Sequence, residues 1–460
     1  MVFHDAIGYL GDVPGVALDA APAAAQLAAE GAAGRRRWWR SHWFHSVLYF
    51  ALFYVLAPYD ILKSLSLENG HTLDVREAVD RYAEANPVRN LVILALGIWA
   101  MVSLMQPSAN RLRIRGFMGL AIVGFLCWAM ASPLWGEDPL TTGRRVVGLV
   151  FLCLAALAMA RQCEGDGLLQ FVIFSLGLFA VSGIAAELAI GSFHPLDPSY
   201  RFAGLVHPNA MGGDCALLSL ASLVYARRRA EKPLAYVLIA AIAVVLLVLT
   251  KSRTALLAWL AGVACGAVLL SDRRTRGFLV LGILATVTTV LAFDHELYWV
   301  LSGALALGRT DSGASDIGSF TGRSDIWAQL WGYVMQRPLT GYGYNSFWSP
   351  NRLLDVALAQ GFASPSAHSG LLEVTLSLGL VGGGIFAVVL LSGVVRALGE
   401  YARRGLAESA FVAAALVTLC VNITTESIVL HPTIGSFIWM IMLARLGFVE
   451  EPGGARAEAR

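Results

Sequence analysis

Charged residues are scarce in this chain of 460 residues, since 14% are Asp, Glu, Lys or Arg and 57% are hydrophobic. The mean hydropathy is +0.64, so the chain cannot solvate its surface in the way a water-soluble protein does. The formal net charge of +2 is too small to indicate a nucleic-acid partner, and the basic residues form short clusters between apolar runs. We therefore expect a lipid bilayer around the chain and no nucleic acid bound to it.

Cysteine pairs are also lacking. The cysteines lie in or beside apolar runs and form no C-x-x-C pair, which argues against a disulfide framework and against a zinc site. They are Cys127, Cys153, Cys163, Cys215, Cys265 and Cys420. We interpret them as small core residues and expect no metal and no other cofactor.

The sequence lacks the pattern of a cleaved signal peptide. In such a peptide the basic region comes close to the first residue, whereas here an alanine-rich stretch of 34 residues precedes the arginines of residues 35–40. We expect residues 1–43 to form a loosely ordered cytoplasmic tail.

Long apolar runs are abundant, and several are long enough to cross a hydrocarbon core as helices. Hydropathy windows predict an all-α polytopic membrane protein with about 12 transmembrane helices. The predicted spans are 44–61, 91–106, 116–134, 146–161, 168–190, 208–226, 233–250, 254–271, 277–294, 369–393, 408–427 and 432–448.

Arginine and lysine cluster in alternate connections between these spans, which the positive-inside rule assigns to the cytoplasm. Both termini are then cytoplasmic, and the connection 62–90 lies outside. The organisation predicted is a tail at 1–43, helices 1–9 at 44–294, a large periplasmic loop at 295–368, helices 10–12 at 369–448 and a cytoplasmic tail at 449–460. A loop of that length favours a functional lid or a small cap domain.

Unusual basic residues lie on the predicted outer side. Arg201 precedes Pro208 and Asn209, which can start a helix, and an arginine beside a helix N-terminus is an anion-site candidate. Lys251 and Arg253 lie in a very tight outer turn, against the positive-inside trend. The alternatives are that Arg201 is an ordinary loop residue and that the other two snorkel to lipid headgroups.

Aromatic residues and one histidine complete the outer set. Arg323 opens a helical pattern over 324–336, and Tyr342, Tyr344 and Trp348 follow in a glycine-rich turn. Flat apolar faces and hydroxyl donors suit sugar rings, although an interfacial aromatic belt has the same composition. His368 lies at the start of the tenth span. A lone interfacial histidine is more often structural than catalytic, so its significance depends on its surroundings.

Four acidic residues lie near the outer ends of spans. We expect them to be partners of Arg201, Arg253 or Lys251. They are Glu187, Asp214, Glu373 and Glu426.

The spacing of four segments resembles one known family. His368 and Ser369, followed after nine residues by Gly379 and Gly382, resemble the H-[N/S/Q]-x9-G-x-x-G signature of the O-antigen ligase and polysaccharide polymerase superfamily. Arg201 to Asn209, Ser252 with Arg253, and Pro338 to Gly343 resemble the other segments of that superfamily, in the same order. Each segment alone is weak evidence for the superfamily, whereas the four together are specific to it.

The resemblance implies a GT-C-like, metal-independent and inverting glycosyltransferase of the bacterial inner membrane. Such enzymes move a glycan from an undecaprenyl pyrophosphate donor to an acceptor. Arg201 and Arg253 would bind the donor pyrophosphate, because a guanidinium fork suits phosphate oxygens. His368 would take the proton of the acceptor hydroxyl. Lys251, Arg323, Tyr342, Tyr344, Trp348 and Asn209 would bind substrate.

Within the superfamily, two activities differ only in the acceptor. Residues 322–327 together with the Gly341–Trp348 turn look more like the exopolysaccharide polymerases, while His207 replaces the asparagine or glycine expected before Pro208 in many ligases. We favour a polymerase, which could work with a chain-length regulator, over a ligase to the lipid A core. A transporter or flippase of lipid-linked sugars suits twelve spans, but no internal repeat is visible and the polar residues avoid the midplane.

Replacing Arg253 with alanine should abolish glycan transfer while membrane insertion continues, because the pyrophosphate would lose its partner. Arg253→Lys should also fail, since lysine offers a point charge without the bidentate fork. Polymer length in a strain that expresses each variant is the measurement. Polymer of wild-type length from a well-expressed Arg253→Ala variant would contradict the assignment.

Overall fold

The computed structural model describes residues 87–450, except for 107, 109, 164–165, 229–232, 273, 283–322, 361–365, 428 and 431. The described part is mostly helical. Its longer helices are α1 (Pro87–Met105), α2 (Gly116–Ala131), α3 (Pro139–Gln162), α4 (Gly167–Ile190), α5 (Pro208–Arg228), α6 (Pro233–Leu249), α7 (Arg253–Leu270), α8 (Arg323–Gln336), α9 (Pro350–Gln360), α10 (Gly370–Arg404), α11 (Ala407–Asn422) and α12 (Ile434–Phe448). A 3-10 turn (Ser132–Leu134) follows α2, and two short strands, β1 (Arg111–Leu112) and β2 (Val449–Glu450), pair antiparallel.

Helices coincide with all predicted spans that lie between 91 and 271 and between 369 and 448. Some helix ends differ from the predicted ends because a capping residue sets where the helix begins or ends. Helix α3 begins at Pro139, before the predicted 146, because the Asp138 side chain caps it by accepting from Thr141 N–H. Helix α10 continues past 393 to Arg404, where Gly405 ends it in a left-handed conformation. The span 44–61 and most of the ninth span lie outside the described residues, and 274–282 are helical.

Several described helices are long and apolar enough to cross a membrane. They are Gly116–Leu134, Pro139–Gln162, Gly167–Ile190, Arg253–Leu270 and Gly370–Arg404. Four further apolar helices are shorter. The chain is thus a helical, multi-pass membrane protein, while the total of about twelve spans stays a prediction.

Connections predicted to lie on one side of the membrane contact one another at one end of the bundle. Strand β1 pairs with β2, the Arg115 guanidinium lies 3.0 Å from the Glu400 carboxylate, and Arg445 lies 2.8 Å from Glu408. The segments that carry the predicted site meet at the opposite end. This separation agrees with the predicted alternation, and which end faces the cytoplasm stays a prediction.

Helix α8, the turn after it and α9 form a small cap packed on α10. The pattern over 324–336 is confirmed as a helix, whereas α9 was not predicted. A core is shared by α8, the turn, α9 and the start of α10. Its buried residues are Ile326, Leu330, Val334, Tyr342, Phe347, Val356, Ala367 and Leu376.

A break in α10 anchors this cap. Gly379 has φ +69° inside the helix, which leaves preceding carbonyl groups without their helical partners. The cap supplies donors, because Tyr342 N–H donates to Leu376 O (3.0 Å) and Gly343 N–H donates to Ser377 O (2.9 Å). Trp128 Nε1–H donates to Leu378 O (2.9 Å). Irregular backbone at membrane depth requires such partners.

The Gly379→Ala substitution should destabilise the protein by at least about 2 kcal/mol. A Cβ at Gly379 would lie 2.1 Å from Leu339 O, on a backbone with positive φ. Gly384→Ala is a matched control on the same helix, since no atom lies within 4 Å of its added Cβ. Thermal unfolding in detergent is the measurement. Equal unfolding temperatures for the two variants would show that the break is not needed.

Candidate functional site

The segment that carries Arg201 is held by a buried carboxylate. Glu187, on α4, accepts from the N–H groups of Ala203 (2.9 Å) and Gly204 (2.7 Å) through Oε1, and from the Tyr200 hydroxyl through Oε2. Gly204 has φ +59° and packs on Gly183 of α4. The carboxylate therefore fixes the backbone on both sides of Arg201.

Arg201 itself reaches two neighbouring elements. Its Nε–H donates to Thr250 O (3.1 Å), at the end of α6, and its Nη2–H donates to Asn209 Oδ1 (2.9 Å), in the first turn of α5. His207 Nδ1 accepts from Asn209 N–H at 3.3 Å. The histidine that departs from the ligase pattern thus serves the helix start that places Asn209.

Glu426 joins this arginine to a second one. Its Oε1 accepts from Asn209 Nδ2 (2.7 Å) and from Arg323 Nη2 (2.9 Å). The side chains of Arg323 and Glu426 are 15% and 8% exposed, so the pair is largely desolvated. Burial raises the pKa of Glu426 above its ordinary value, although Arg323 and Asn209 oppose that shift. A continuous chain of hydrogen bonds thus runs from Arg201 through Asn209 and Glu426 to Arg323.

His368 lies beside this chain of hydrogen bonds. Its backbone has φ +48°, which is uncommon for a residue with a side chain, and its N–H donates to Ser366 Oγ at 3.2 Å. Burial and the Arg323 guanidinium lower the pKa of His368 to about 4. The imidazole is therefore neutral near pH 7 and has a nitrogen that can accept a proton.

Arg253 is the first residue of α7, whose N-cap is Ser252. The hydroxyl of the next residue, Thr254, accepts from the hydroxyl of Thr425 at 2.8 Å. Thr425 immediately precedes Glu426, so the start of α7 lies next to the loop that carries the carboxylate.

Lys251 is directed elsewhere. Its backbone has φ +51°, and its ammonium group donates to Pro198 O in the loop after α4. The structure therefore does not bring Lys251 to Glu426, and its contact with substrate stays a prediction.

The predicted aromatic residues are packed within the protein. Tyr342 and Tyr344 are 3% and 6% exposed. The guanidinium of Arg352 lies 4.5 Å from the centroid of the Tyr342 ring, and Tyr344 N–H donates to Ser132 Oγ at 3.0 Å. Trp348 is half-buried, and its indole N–H donates to Glu373 Oε1 at 2.5 Å. Their contact with sugars stays a prediction.

Three of the acidic residues have hydrogen-bond or ion-pair partners that the sequence did not predict. Glu426 pairs with Arg323, while Glu373 accepts from Trp348, Ala367 and Ser427. Glu187 accepts from a tyrosine and two backbone N–H groups. The charge of Arg201 also acts on Glu426, as expected from the sequence, whereas the direct ion pair of Glu426 is with Arg323. The expected pairing of the other acids with Arg201, Arg253 or Lys251 stays a prediction. The only sequence signal for their role was an ionisable group next to an apolar span, which does not identify a partner.

These observations define a class of protein. It is a helical membrane bundle with arginines, a neutral histidine and buried carboxylates at one end. Residues 234–387 match the family model described as O-antigen ligase, which confirms the resemblance to the O-antigen ligase and polymerase superfamily. The matched segment includes Arg253, Arg323 and His368, and Arg201 and Asn209 precede it. No curated protein sequence matches this chain.

Asn209→Asp should destabilise the protein more at pH 8 than at pH 5. The substitution would place a carboxylate next to Glu426, where an amide N–H donated before. Repulsion between the two carboxylates would raise the pKa of at least one of them above its ordinary value. Such a raised pKa costs stability at high pH, and the loss shrinks as pH falls and one carboxyl takes up a proton.

The matched control is Asn209→Ala, which removes the same hydrogen bonds without adding charge. The bond from Asn209 lowers the pKa of Glu426, so its loss should depend on pH in the same direction but less steeply than in Asn209→Asp. Thermal unfolding of both detergent-purified variants at the two pH values is the measurement. The same pH dependence in both variants would show that Asn209 does not donate to Glu426.

Proposed function

We propose that this protein is a glycosyltransferase that polymerises undecaprenyl-pyrophosphate-linked oligosaccharide repeat units at the periplasmic face of the inner membrane. The observation that carries the proposal is the convergence of His368, Arg323 and Arg201 around Glu426 and Asn209. The family match supports a ligase or polymerase type of function in general.

The arginines would bind the donor pyrophosphate. Arg201 and Arg323 come from different segments yet share one hydrogen-bonded chain, and Arg253 begins the neighbouring helix α7. Planar guanidinium groups give paired donors that match phosphate oxygens. Their charge would stabilise the negative charge that develops on the pyrophosphate as it leaves.

His368 would act as the general base. The acceptor hydroxyl transfers its proton to the neutral imidazole while its oxygen bonds to the anomeric carbon of the donor. The bond between that carbon and the pyrophosphate oxygen breaks, and undecaprenyl pyrophosphate leaves with the electron pair. A single displacement of this kind inverts the anomeric centre, and it uses side chains of the protein without a metal ion.

The support for a polymerase over a ligase comes from the sequence of the cap, which looks like that of the exopolysaccharide polymerases. The segment whose sequence looks like the exopolysaccharide polymerases supplies Arg323 to the ion pair with Glu426 and Trp348 to the bond with Glu373. The second candidate is a ligase that transfers the glycan to the lipid A core, which the description of the matching family favours. The two candidates share the donor site and differ in the acceptor.

Polysaccharide profiling in a deletion strain separates these candidates. We expect single lipid-linked repeats to accumulate in the deletion strain and in a strain complemented with His368→Ala, and normal polymer to return with the wild type. Full-length polymer that remains on undecaprenyl pyrophosphate would indicate the ligase instead. Normal polymer with a well-expressed His368→Ala variant would contradict the role of His368.

The rate of transfer should stay high in mildly acidic solution. Since the pKa of His368 is lowered to about 4, kcat/KM should fall only as pH approaches that value, and not near the ordinary pKa of 6.5. Arg323→Gln removes a cation that lowers this pKa. In that variant, the pH at which kcat/KM falls on the acidic side should therefore move up towards 6.5. An unchanged limb in Arg323→Gln would contradict the proximity of the two side chains.

A further inference from the structure

The start of α10 contains a carboxyl group that the proposed reaction does not use. Glu373 is 1% exposed and lies one turn after His368, yet its partners come from three different segments. Oε1 accepts from Trp348 Nε1 (2.5 Å) in the cap. Oε2 accepts from Ala367 N–H (2.8 Å) and from Ser427 Oγ (3.3 Å). Each oxygen is thus committed as an acceptor.

These bonds bracket His368 on both sides. Ala367 N–H, immediately before it, donates directly to Glu373. Ser369 N–H, immediately after it, donates to Ser427 Oγ at 3.1 Å, and that hydroxyl donates to Glu373. The next N–H, of Gly370, donates to Ile423 O at 2.8 Å. The left-handed backbone of His368, with φ +48°, therefore sits in a turn whose flanking N–H groups converge on one carboxyl group.

The carboxyl group of Glu373 also connects the turn of His368 to the loop that carries Glu426. Ser427 directly follows Glu426, which pairs with Arg323, so a shift of the Ser427 hydroxyl would move His368 relative to that pair. A position error of about 1 Å in a catalytic group can cost a hundredfold in rate. A carboxyl group that ties both loops to one helix is suited to prevent such an error.

We infer that Glu373 is a positioning residue, which sets His368 against Arg323 and Glu426 without contacting substrate. This inference rests on the proposed function for its effect on rate, and on geometry alone for its effect on the imidazole. Among the described residues, Arg323 on α8 is a charged group that acts on His368, while Glu373 on α10 and Glu426 after α11 are the acids whose segments are joined to its turn.

The test is Glu373→Gln. An amide has one acceptor oxygen, so either Trp348 or the pair formed by Ala367 and Ser427 must face an NH2 group. Loosening of the turn would expose the imidazole and move it from Arg323. We expect kcat to fall by about 10- to 100-fold with a smaller change in KM, and the acidic limb of kcat/KM to move up towards pH 6.5.

A second measurement does not depend on activity. Carbethoxylation of His368 by diethyl pyrocarbonate, followed by peptide mass spectrometry over a range of pH, reports its accessibility and its pKa in the full-length protein. In the wild type we expect slow modification with a midpoint near pH 4. In Glu373→Gln we expect faster modification with a higher midpoint. If the wild type transfers no glycan, the proposed function fails, while this measurement still decides the role of Glu373.

Glu400→Gln is the matched control. Glu400 is also a buried glutamate of α10, but it pairs with Arg115 at the other end of the bundle. It should lower thermal stability without changing the modification of His368. If Glu373→Gln does not fold, Ser427→Ala removes only the bridging hydroxyl and should give a smaller shift in the same direction. Wild-type modification and a wild-type pH profile in a folded Glu373→Gln or Ser427→Ala variant would overturn the inference.

Discussion

A carboxyl group buried at the end of a membrane bundle has to be provided with donors, because water is not there to solvate it. Three such groups organise this protein. Glu187 holds the segment of Arg201, Glu426 joins Asn209 to Arg323, and Glu373 holds the turn of His368. The segments of Arg201, Glu426 and His368 are therefore attached to helices through acids that cannot be left unsatisfied, so their positions depend on the burial of these acids.

Burial also determines the protonation state of His368. A buried imidazole next to a guanidinium is held neutral, with its pKa lowered to about 4, and a neutral imidazole is the form that can take a proton. The same guanidinium, on Arg323, is held by Glu426. A neighbouring cation is unfavourable for protonation of the imidazole, yet it suits the proposed reaction, in which a base and a leaving anion would be close neighbours.

Much of the helical architecture was predictable from the sequence, because apolar runs of spanning length have few alternatives in a bilayer. Helix ends such as Pro139 and Gly405 depend on caps, and the break at Gly379 depends on donors from residues nearly 40 positions earlier. Hydropathy does not register such donors. Arg201 and His368 were predicted from the spacing of motifs and Arg323 from the aromatic helical pattern that it opens, whereas the contacts of Glu373 and Glu426 depend on partners that are distant in sequence. The burial of Tyr342 and Tyr344 has the same origin, since aromatic composition alone does not separate a sugar platform from a core.

The most direct test of the proposed polymerase activity is reconstitution of the purified protein in liposomes with a synthetic undecaprenyl-pyrophosphate oligosaccharide as the only glycan. We expect chains of two or more repeats to form with inversion at the new linkage, and one undecaprenyl pyrophosphate to be released for each bond. Donor that stays intact after prolonged incubation with folded protein would show that the protein is not a polymerase. Transfer that begins only when a lipid A core acceptor is added would assign the same site to ligation.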